Sequence, residues 1–505
     1  MRTCTVLVVL LLASSAQTAA AQTAGRACAA LSSLTLPKGS VTLAEARAAG
    51  QFTPPDAPPA QTANPLPAFC RVAATLRPSS DSDIKIEVWL PADNWNGKLQ
   101  AVGNGAFNGN VPYGAMMAAL RRGYAAAGTD TGHVGGGAQW ALGHPEKVID
   151  FGWRAVHEMT VAAKTIIAAH YAAGPRYSYW NGCSAGGRQA MKAAQRFPDD
   201  FDGIIAGAPG LDWTGRAAQA NRVAKVLASS EPARLLERER RILHTAAVGA
   251  CDALDGVKDG LIENPERCTF DPGVLACRAS NGTDCLTPPQ VETARLIYSS
   301  AKNPKTNREI AGLLPGSELG WTDLGWTDSA RATGVDQFRY IVKADPTWTV
   351  QQFTFETDIV RADDVDRDTI NALDPNLKPF FDSGGKLIQY HGWSDPQISP
   401  ANSVEYHKRV TQAVGEASRV HDSYRLFMAP GMGHCGGGAG PNTFDMVTAL
   451  EQWVEQGKAP DRIPASHATA GKVDRTRPLC PYPQTAVYKG AGSIDAAENF
   501  ECRAP

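Results

Sequence analysis

The sequence predicts an α/β protein in which helices cover both faces of a mainly parallel β-sheet. Strand-like and helix-like segments alternate along the chain on both sides of a central stretch, residues 211–378, and such alternation is typical of parallel sheets. The central stretch itself lacks the alternation. A glycine-flanked serine turn at residues 182–186 lies between a strand-like run and a helix-like run. These observations predict one sheet domain with a large insertion.

The chain is long enough for more than one hydrophobic core. Its 505 residues exceed what a single compact core usually covers, which favours two domains or one domain with an insertion. Charge is nearly balanced, with 49 basic and 51 acidic residues and no long basic run. We therefore expect neither nucleic acid nor a membrane surface as a partner.

The N-terminus has the features of an export signal. Met1 and Arg2 precede an apolar run at residues 6–13, and three small residues at 19–21 resemble a cleavage site. This pattern is typical of a secretory signal peptide over residues 1–21, and its apolar run is too short to span a bilayer. We therefore expect a secreted or periplasmic protein.

The chain contains 11 cysteines, one of which, Cys4, lies in the segment that export would remove. The ten that remain are an even number, which indicates disulfides in an exported protein, although the sequence alone does not fix their connectivity. A zinc site is the alternative, but no Cys-x-x-Cys pair occurs. Short spacings suggest three local pairs: Cys251 with Cys268, Cys277 with Cys285, and Cys480 with Cys502.

The first part of the chain leads to the serine turn. Residues up to about Leu66 are rich in alanine, proline and threonine, which predicts a surface arm that a bond between Cys28 and Cys70 would hold. Hydrophobic periodicity then predicts a series of elements. They are strands at 70–76, 84–90 and 99–102, a helix at 113–122, a strand at 123–129, a helix at 153–171, and a strand at 177–181.

The second part of the chain contains the insertion and the return to the sheet. Between 211 and 378 it mixes helical stretches, cysteine-bounded loops and Trp-rich segments such as 321–326, which we interpret as a lid. The predicted catalytic domain therefore covers residues 22–210 and 379–505. Its remaining elements are a helix that ends at Arg196, a strand at 203–207, a strand at 385–391, a helix at 403–414, a strand at 424–428 and a helix at 443–457.

The turn Gly182-Cys183-Ser184-Ala185-Gly186 has the form Gly-x-Ser-x-Gly. With a strand before it and a helix after it, the pattern predicts a nucleophile elbow, and with it an α/β-hydrolase fold with a large lid insertion. The glycines matter because neighbouring Cβ atoms would clash in so sharp a turn. The alternative is an ordinary glycine-rich turn that merely contains a serine.

A serine nucleophile needs a base, and the base needs an acid to orient it. In this fold they follow the serine in the order acid, then histidine, on loops after later strands. Asp395 follows the strand predicted at 385–391, and His434 follows the strand predicted at 424–428. The alternatives are a surface or structural role for His434 and a plain turn role for Asp395 before Pro396.

Two further features belong to this hypothesis. The glycine-rich turn at residues 103–105 follows an inner strand, where this architecture places one of its oxyanion donors. Cys183 precedes the predicted nucleophile and Cys435 follows the predicted base. If Ser184 and His434 lie in contact, a disulfide between their neighbours is feasible. It would close a very long loop, worth on the order of 5 kcal/mol in the chain-entropy model.

Four segments resemble the tannase and feruloyl esterase family, which includes a bacterial hydrolase of mono(2-hydroxyethyl) terephthalate. They are GCSAGGR at 182–188, FDGIIAGAPG at 201–210, YHGWSD at 390–395 and RPLCPYP at 477–483. The resemblance implies a triad of Ser184, Asp395 and His434 and an oxyanion hole of the Gly103 and Ala185 amides. It also implies five disulfides: Cys183 with Cys435, Cys28 with Cys70, Cys251 with Cys268, Cys277 with Cys285, and Cys480 with Cys502.

The loop at residues 252–261 contains three aspartates and two glycines. Carboxylates in a flexible loop suit a hard cation such as calcium, although the loop departs from the EF-hand pattern, and an acidic surface turn is an equally good interpretation of the residues alone. The family resemblance implies a structural Ca²⁺ in the lid. Its ligands would be the carboxylates of Asp252, Asp255 and Asp259 and the carbonyls of Val257 and Leu261.

The sequence thus predicts a secreted serine esterase that hydrolyses small-molecule esters of aromatic carboxylic acids, of the feruloyl, galloyl or terephthaloyl type, through an acyl-enzyme. The Trp and Phe residues of the lid offer flat apolar surface for an aryl acid. Two alternatives are a serine peptidase, which shares the triad, and a protein of the same fold that binds aryl esters without hydrolysing them. Hydrolysis of aryl esters but not of peptides separates the three.

Overall fold

A computed structural model of the protein describes residues 26–50, 52–55, 65–278, 284–322 and 333–504. The predicted signal peptide lies outside the described residues, as does part of the Trp-rich segment 321–326. Within the described part of the chain, no helix is long and apolar enough to cross a bilayer.

The described residues form sixteen strands, ten of which belong to one sheet while six form three separate hairpins. The strands are β1 (Thr35–Leu36), β2 (Gly39–Arg47), β3 (Phe69–Leu76), β4 (Ile84–Pro91), β5 (Lys98–Val102), β6 (Ala125–Thr129), β7 (Tyr177–Cys183), β8 (Gly203–Gly207), β9 (Ala301–Lys302), β10 (Glu309–Ile310), β11 (Lys386–Gly392), β12 (Tyr424–Ala429), β13 (Ile463–Thr469), β14 (Lys472–Leu479), β15 (Thr485–Tyr488) and β16 (Phe500–Arg503).

Thirteen α-helices accompany these strands in the described residues. They are α1 (Tyr113–Arg121), α2 (Pro145–Ile149), α3 (Ala155–Tyr171), α4 (Ala185–Arg196), α5 (Trp213–Ser229), α6 (Glu237–Cys251), α7 (Pro288–Tyr298), α8 (Thr333–Asp336), α9 (Phe355–Asp366), α10 (Lys378–Asp382), α11 (Ala401–Val414), α12 (Ala417–His421) and α13 (Met446–Gln456).

The central sheet has the strand order β1-β2-β3-β4-β6-β5-β7-β8-β11-β12. The six strands from β6 to β12 in this order run parallel, and the strands from β1 to β4 are antiparallel. Two apolar layers cover the two faces: Ile204 packs in one and its neighbour Ile205 in the other, as the alternation of a strand requires. The predicted α/β-hydrolase fold is therefore confirmed.

The predicted surface arm is wrong for part of its length. Residues Gly39–Arg47 form β2, which pairs antiparallel with the whole of β3. The strand was hidden because it has few large apolar residues and its side chains are only partly buried, so its alternation is weak. The disulfide between Cys28 and Cys70, with Cα atoms 5.6 Å apart, fixes the segment that precedes it.

In its described residues, the insertion between β8 and β11 carries α5 to α10 and one two-stranded hairpin, none of which joins the central sheet. It contains apolar clusters of its own. One is built around Phe338, Trp348 and Phe353, and another around Leu243 and Trp321. The insertion therefore has a core that the sheet does not supply, which explains why its sequence lacks the alternation of the flanking regions.

Candidate active site

Ser184 lies in a sharp turn between β7 and α4. Its backbone has φ 64° and ψ −119°, a conformation that a non-glycine residue adopts only when its surroundings impose it. The amide of Ser184 donates to the carbonyl of Gly207 at 2.9 Å, and its carbonyl accepts from the amide of Arg188 at 3.0 Å. A Cβ on Gly182 would lie 2.7 Å from the backbone of Gly186. The turn is thus the strained elbow that the sequence predicts.

Asp395 follows β11 and is completely buried. Its Oδ1 accepts hydrogen bonds from the amides of Gln397 at 2.8 Å and Ile398 at 3.0 Å. Its Oδ2 accepts from Nδ1 of His434 at 2.7 Å, because an ionised carboxylate has no proton to give. Burial acts to raise the pKa of Asp395, but the charge of His434 and the hydrogen bonds it receives hold that pKa well below its usual range. Asp395 therefore stays ionised and fixes the imidazole.

His434 lies in the glycine-rich loop after β12, and 11% of its side chain is exposed. The loop is held by the hydrogen bond from the Gly433 amide to the Gly437 carbonyl at 3.1 Å and by the bond from the Ser394 amide to the Met432 carbonyl at 3.0 Å. Among the described residues, no hydrogen bond joins Oγ of Ser184 to His434. Such bonds are often long without substrate.

A covalent bond connects the two sides of the site. Cys183 and Cys435 form a disulfide with Cα atoms 6.0 Å apart, so the residues next to Ser184 and His434 are directly joined. All five predicted disulfides are present, the others being Cys28 with Cys70, Cys251 with Cys268, Cys277 with Cys285, and Cys480 with Cys502.

The predicted oxyanion donors differ in their surroundings. Ala185 is the first residue of α4, so its amide has no partner within the helix. The amide of Gly103, however, donates to the carbonyl of Asn181 at 3.3 Å. This bond directs the Gly103 amide towards the neighbouring strand β7, and the role of Gly103 in an oxyanion hole stays a prediction.

The turn after Gly103 offers other amides. The Asn104 amide donates to Oε1 of Gln189 at 3.1 Å, whereas the amides of Gly105 and Ala106 donate to no acceptor in the described residues. Ala106 also has a φ of 43°, which is uncommon for a residue with a Cβ. Sequence reasoning missed Ala106 because alanine carries no signal for a left-handed conformation.

His391 was also missed. Its ring is fully buried and its Nε2 lies 3.0 Å from Oδ2 of Asp395, the oxygen that His434 also contacts. The available signal was its position at the end of the predicted strand and four residues before Asp395. One carboxylate oxygen is therefore shared by two histidines.

Buried aromatic side chains pack beside the turn at Ser184. Ala185, the residue after Ser184, packs in one apolar cluster with Phe107 from the turn after β5 and Trp213 from the first turn of α5. The rings of Phe107 and Trp213 meet edge to face with centroids 5.2 Å apart. A separate cavity of about 380 Å³ lies beside His434, and its lining includes the polar side chains of Ser317, Ser394 and Gln397.

The predicted metal loop follows α6. Burial and the charges of Asp259 and Asp252 raise the pKa of Asp255, so the three carboxylates lie close enough to repel one another. All of the predicted ligands are oxygens, which suits calcium. Their present partners are protein groups: Asp259 pairs with Arg477, for example.

The other two carboxylates of this loop accept backbone hydrogen bonds. Asp252 accepts from the amides of Asp259 and Gly260, both at 3.1 Å, and Asp255 accepts from the amide of Val257 at 2.9 Å. Within the described ranges, no group of three or more His, Cys, Asp or Glu side chains is arranged to hold a metal ion. The donor chemistry fits calcium, while the arrangement of the side chains does not display a formed site.

Comparisons with known proteins agree on the family. The family model of tannase and feruloyl esterase matches residues 70–503. An uncharacterized esterase of Xanthomonas campestris is 37% identical over 95% of this chain and 91% of its own length. A probable feruloyl esterase B-1 of Neosartorya fischeri is 34% identical over 86% of each chain. The crystal structure of feruloyl esterase B from Aspergillus oryzae superposes with a TM-score of 0.89 at 32% identity, covering 94% of this chain and all of that one.

The disulfide between Cys183 and Cys435 gives a first prediction. Changing both cysteines to alanine should lower kcat by about a hundredfold, because a displacement of roughly 1 Å between nucleophile and base has that effect. Esterase assays at a temperature where the variant is folded measure this loss. The matched control changes Cys277 and Cys285 to alanine, since these form another disulfide in the insertion. Equal activities in the two variants would show that the bond is only a structural brace.

Proposed function

The chain belongs to the tannase and feruloyl esterase family and is an esterase of aromatic acid esters, and from this premise we propose that it is an exported enzyme with a serine nucleophile. One observation carries the proposal. The strained turn at Ser184 is tied by Cys183 to the loop of His434, whose imidazole is hydrogen-bonded to the buried Asp395. Five disulfides support export, because such bonds form in oxidising compartments.

In the proposed reaction, Oγ of Ser184 attacks the ester carbonyl carbon while Nε2 of His434 takes the hydroxyl proton. The tetrahedral intermediate collapses when the bond to the alcohol oxygen breaks, and His434 gives its proton to that oxygen. A water molecule, deprotonated by His434, then attacks the acyl carbon; the bond from that carbon to Oγ of Ser184 breaks, His434 returns its proton to Oγ, and the aromatic acid is released. Asp395 stabilises the imidazolium formed in both steps.

The oxyanion of each intermediate needs amide donors. The amide of Ala185 lies directly after the nucleophile and at the N-terminus of α4, where the helix dipole also favours negative charge. The second donor comes from the turn after β5, in which the amides of Gly105 and Ala106 donate to no acceptor in the described residues. The carbonyl of Asn104 accepts from the amide of Gly186 at 2.7 Å, which holds this turn against the elbow.

The acyl group of the substrate is of the feruloyl type. Relatives that share about a third of their sequence with this chain over most of its length carry the name feruloyl esterase B. The rings of Phe107 and Trp213 beside Ala185 are almost fully buried, so they form an apolar layer beneath the turn at Ser184. The cavity next to His434 supplies space for the alcohol, which leaves towards the residue that protonates it.

Calcium belongs to this proposal as a structural ion. The carboxylates of Asp252, Asp255 and Asp259 and the carbonyls of Val257 and Leu261 would hold it. The ion would neutralise the repulsion between the aspartates and brace the insertion. The steps at Ser184 need no metal.

The second prediction concerns the substrate and the nucleophile together. Among methyl ferulate, methyl gallate, mono(2-hydroxyethyl) terephthalate and a peptide amide, methyl ferulate should give the highest kcat/KM, and the peptide should not be cleaved. Replacing Ser184 by alanine should lower kcat on the order of 10⁶-fold, as for other triad serines.

The control for this variant is Ser178→Ala, the same change on the same strand at a buried site away from the turn. It should keep activity near that of the wild type. The proposal is wrong if Ser184→Ala retains activity within tenfold of the wild type, or if peptides are cleaved and aryl esters are not.

The third prediction concerns calcium. If the ion binds only the folded protein, its removal lowers the melting temperature by mass action. Melting curves before and after chelation, and again after calcium is added back, measure the effect. The variant Asp255→Asn should respond less than the wild type. An unchanged curve after exhaustive chelation, with no calcium found by elemental analysis, rules the site out.

A further inference from the structure

The carboxylate of Asp395 is surrounded by four hydrogen-bond donors. Two backbone amides reach Oδ1, while Nδ1 of His434 at 2.7 Å and Nε2 of His391 at 3.0 Å both reach Oδ2. A triad needs only the imidazole of His434 to move protons. His391 therefore has a place at the acid of the triad that the proposed reaction does not explain.

The contacts of His391 fix which of its ring nitrogens carries the proton. Nε2 faces two acceptors, Oδ2 of Asp395 and the carbonyl of Ile398 at 3.2 Å, so this nitrogen must be the donor. On the other side of the ring, Nδ1 lies 2.6 Å from Oγ of Ser403. In the neutral ring Nδ1 then accepts the hydroxyl proton of Ser403, and the tautomer is held from both sides.

The ring of His391 and its partner Ser403 both lie in regular elements of the fold. His391 belongs to β11, which pairs in parallel with β8 on one side and β12 on the other, and Ser403 lies in the first turn of α11. The side chains of His391, Ser403 and Asp395 are buried. By contrast, His434 lies on a loop. The chain of hydrogen bonds from Ser403 through His391 to Asp395 thus anchors Asp395, and through it His434, to the sheet.

We propose that His391 is a positioning residue of the triad, which fixes Oδ2 of Asp395 towards His434 and shares the negative charge of that oxygen. The proposal rests on the serine-esterase mechanism given above. The proposal also predicts an effect on the pH profile. The hydrogen bond from His391 offsets part of the negative charge of Asp395, and that part does not stabilise the protonated form of His434. His391 thereby extends activity towards lower pH.

The charged and titratable groups around Asp395 come from three elements. His391 and His434 contribute from β11 and from the loop after β12. Arg216 contributes from α5 in the insertion, where its cation acts on Asp395 and its Nε donates to the carbonyl of Gln397 at 3.2 Å. The charge of Arg216 is unchanged across the working pH range, so a shift of the pH profile on changing His391 reports on the two histidines and the acid.

The competing interpretation is that His391 only fills space in the core. Two amide substitutions separate the interpretations. Glutamine places its side-chain nitrogen near the position of Nε2 and keeps a donor for Asp395. Asparagine is shorter, reaches only the side of Ser403, and leaves Oδ2 with one donor fewer. Both replace the ring by a smaller amide, so a loss of packing affects both.

The experiment compares His391→Gln, His391→Asn and Ser403→Ala with the wild type by kcat, KM, the pH profile of kcat/KM, and melting temperature. In His391→Asn we expect kcat to fall by about a hundredfold, as for misplaced catalytic groups, with KM within about twofold. The acidic limb of its profile should move to higher pH by about half a unit or more, because His434 then keeps its proton more strongly.

His391→Gln should keep kcat within about tenfold of the wild type and keep the wild-type acidic limb. Ser403→Ala removes only one hydroxyl and frees the tautomer of His391, so it should show a smaller loss with the same direction of shift. If His391→Asn does not fold, the activity and pH profile of Ser403→Ala test the role of His391 instead. The proposal is overturned if glutamine and asparagine lose activity equally, or if the acidic limb stays in place in both His391→Asn and Ser403→Ala.

Failure of this proposal is distinct from failure of the proposed function. The Ser184→Ala variant tests the nucleophile without touching His391. If that variant is inactive while both His391 variants keep the wild-type profile, the serine mechanism stands and the role of His391 falls.

Discussion

The burial of an ionised carboxylate is the constraint on which the rest of the site depends. Asp395 has no exposed surface, and a buried charge is tolerated only when hydrogen bonds replace the water it has lost. Two amides of its own loop and two histidines supply those bonds. Satisfying Asp395 therefore also determines where the imidazole of His434 lies and in which tautomer, so the requirement for a stable fold and the requirement for a working base are met by the same contacts.

The position of Ser184, the proposed nucleophile, depends on close packing. Close packing of α4 against the sheet leaves no room for Cβ atoms: one on Gly187 would lie 2.3 Å from the carbonyl oxygen of Gly207. This packing imposes the strained backbone of Ser184. The disulfide between Cys183 and Cys435 then joins the packed elbow to the loop of His434. The packed turn, the disulfide and the hydrogen-bonded carboxylate of Asp395 thus lie together at the carboxyl end of the parallel strands. Sheets of this kind place their binding sites there.

Much of this arrangement could be predicted from the sequence, for physical reasons that differ between residues. The elements around Ser184, Asp395 and His434 were predictable because hydrophobic periodicity shows the strands. Each of the three residues follows one of these strands, in the chain order that the fold requires. The strand Gly39–Arg47 was missed because burial on a sheet edge leaves a faint apolar pattern. The direction of the Gly103 amide could not be predicted, because it depends on torsion angles that residue identity does not reveal. The positive φ of Ala106 and the hydrogen bond from His391 to Asp395 likewise become visible only in three dimensions.

Covalent labelling is a direct test of the proposed activation of the Ser184 hydroxyl. The enzyme is treated with an aryl phosphonate ester, which traps an activated serine as a stable adduct, and is then analysed by intact mass and peptide mapping. We expect one phosphonyl group per chain, located on the peptide that contains Ser184. Esterase activity should be lost in proportion to labelling, and methyl ferulate should slow both the labelling and the loss. Complete inactivation with Ser184 unmodified, or full labelling of Ser184 with activity retained, would contradict it.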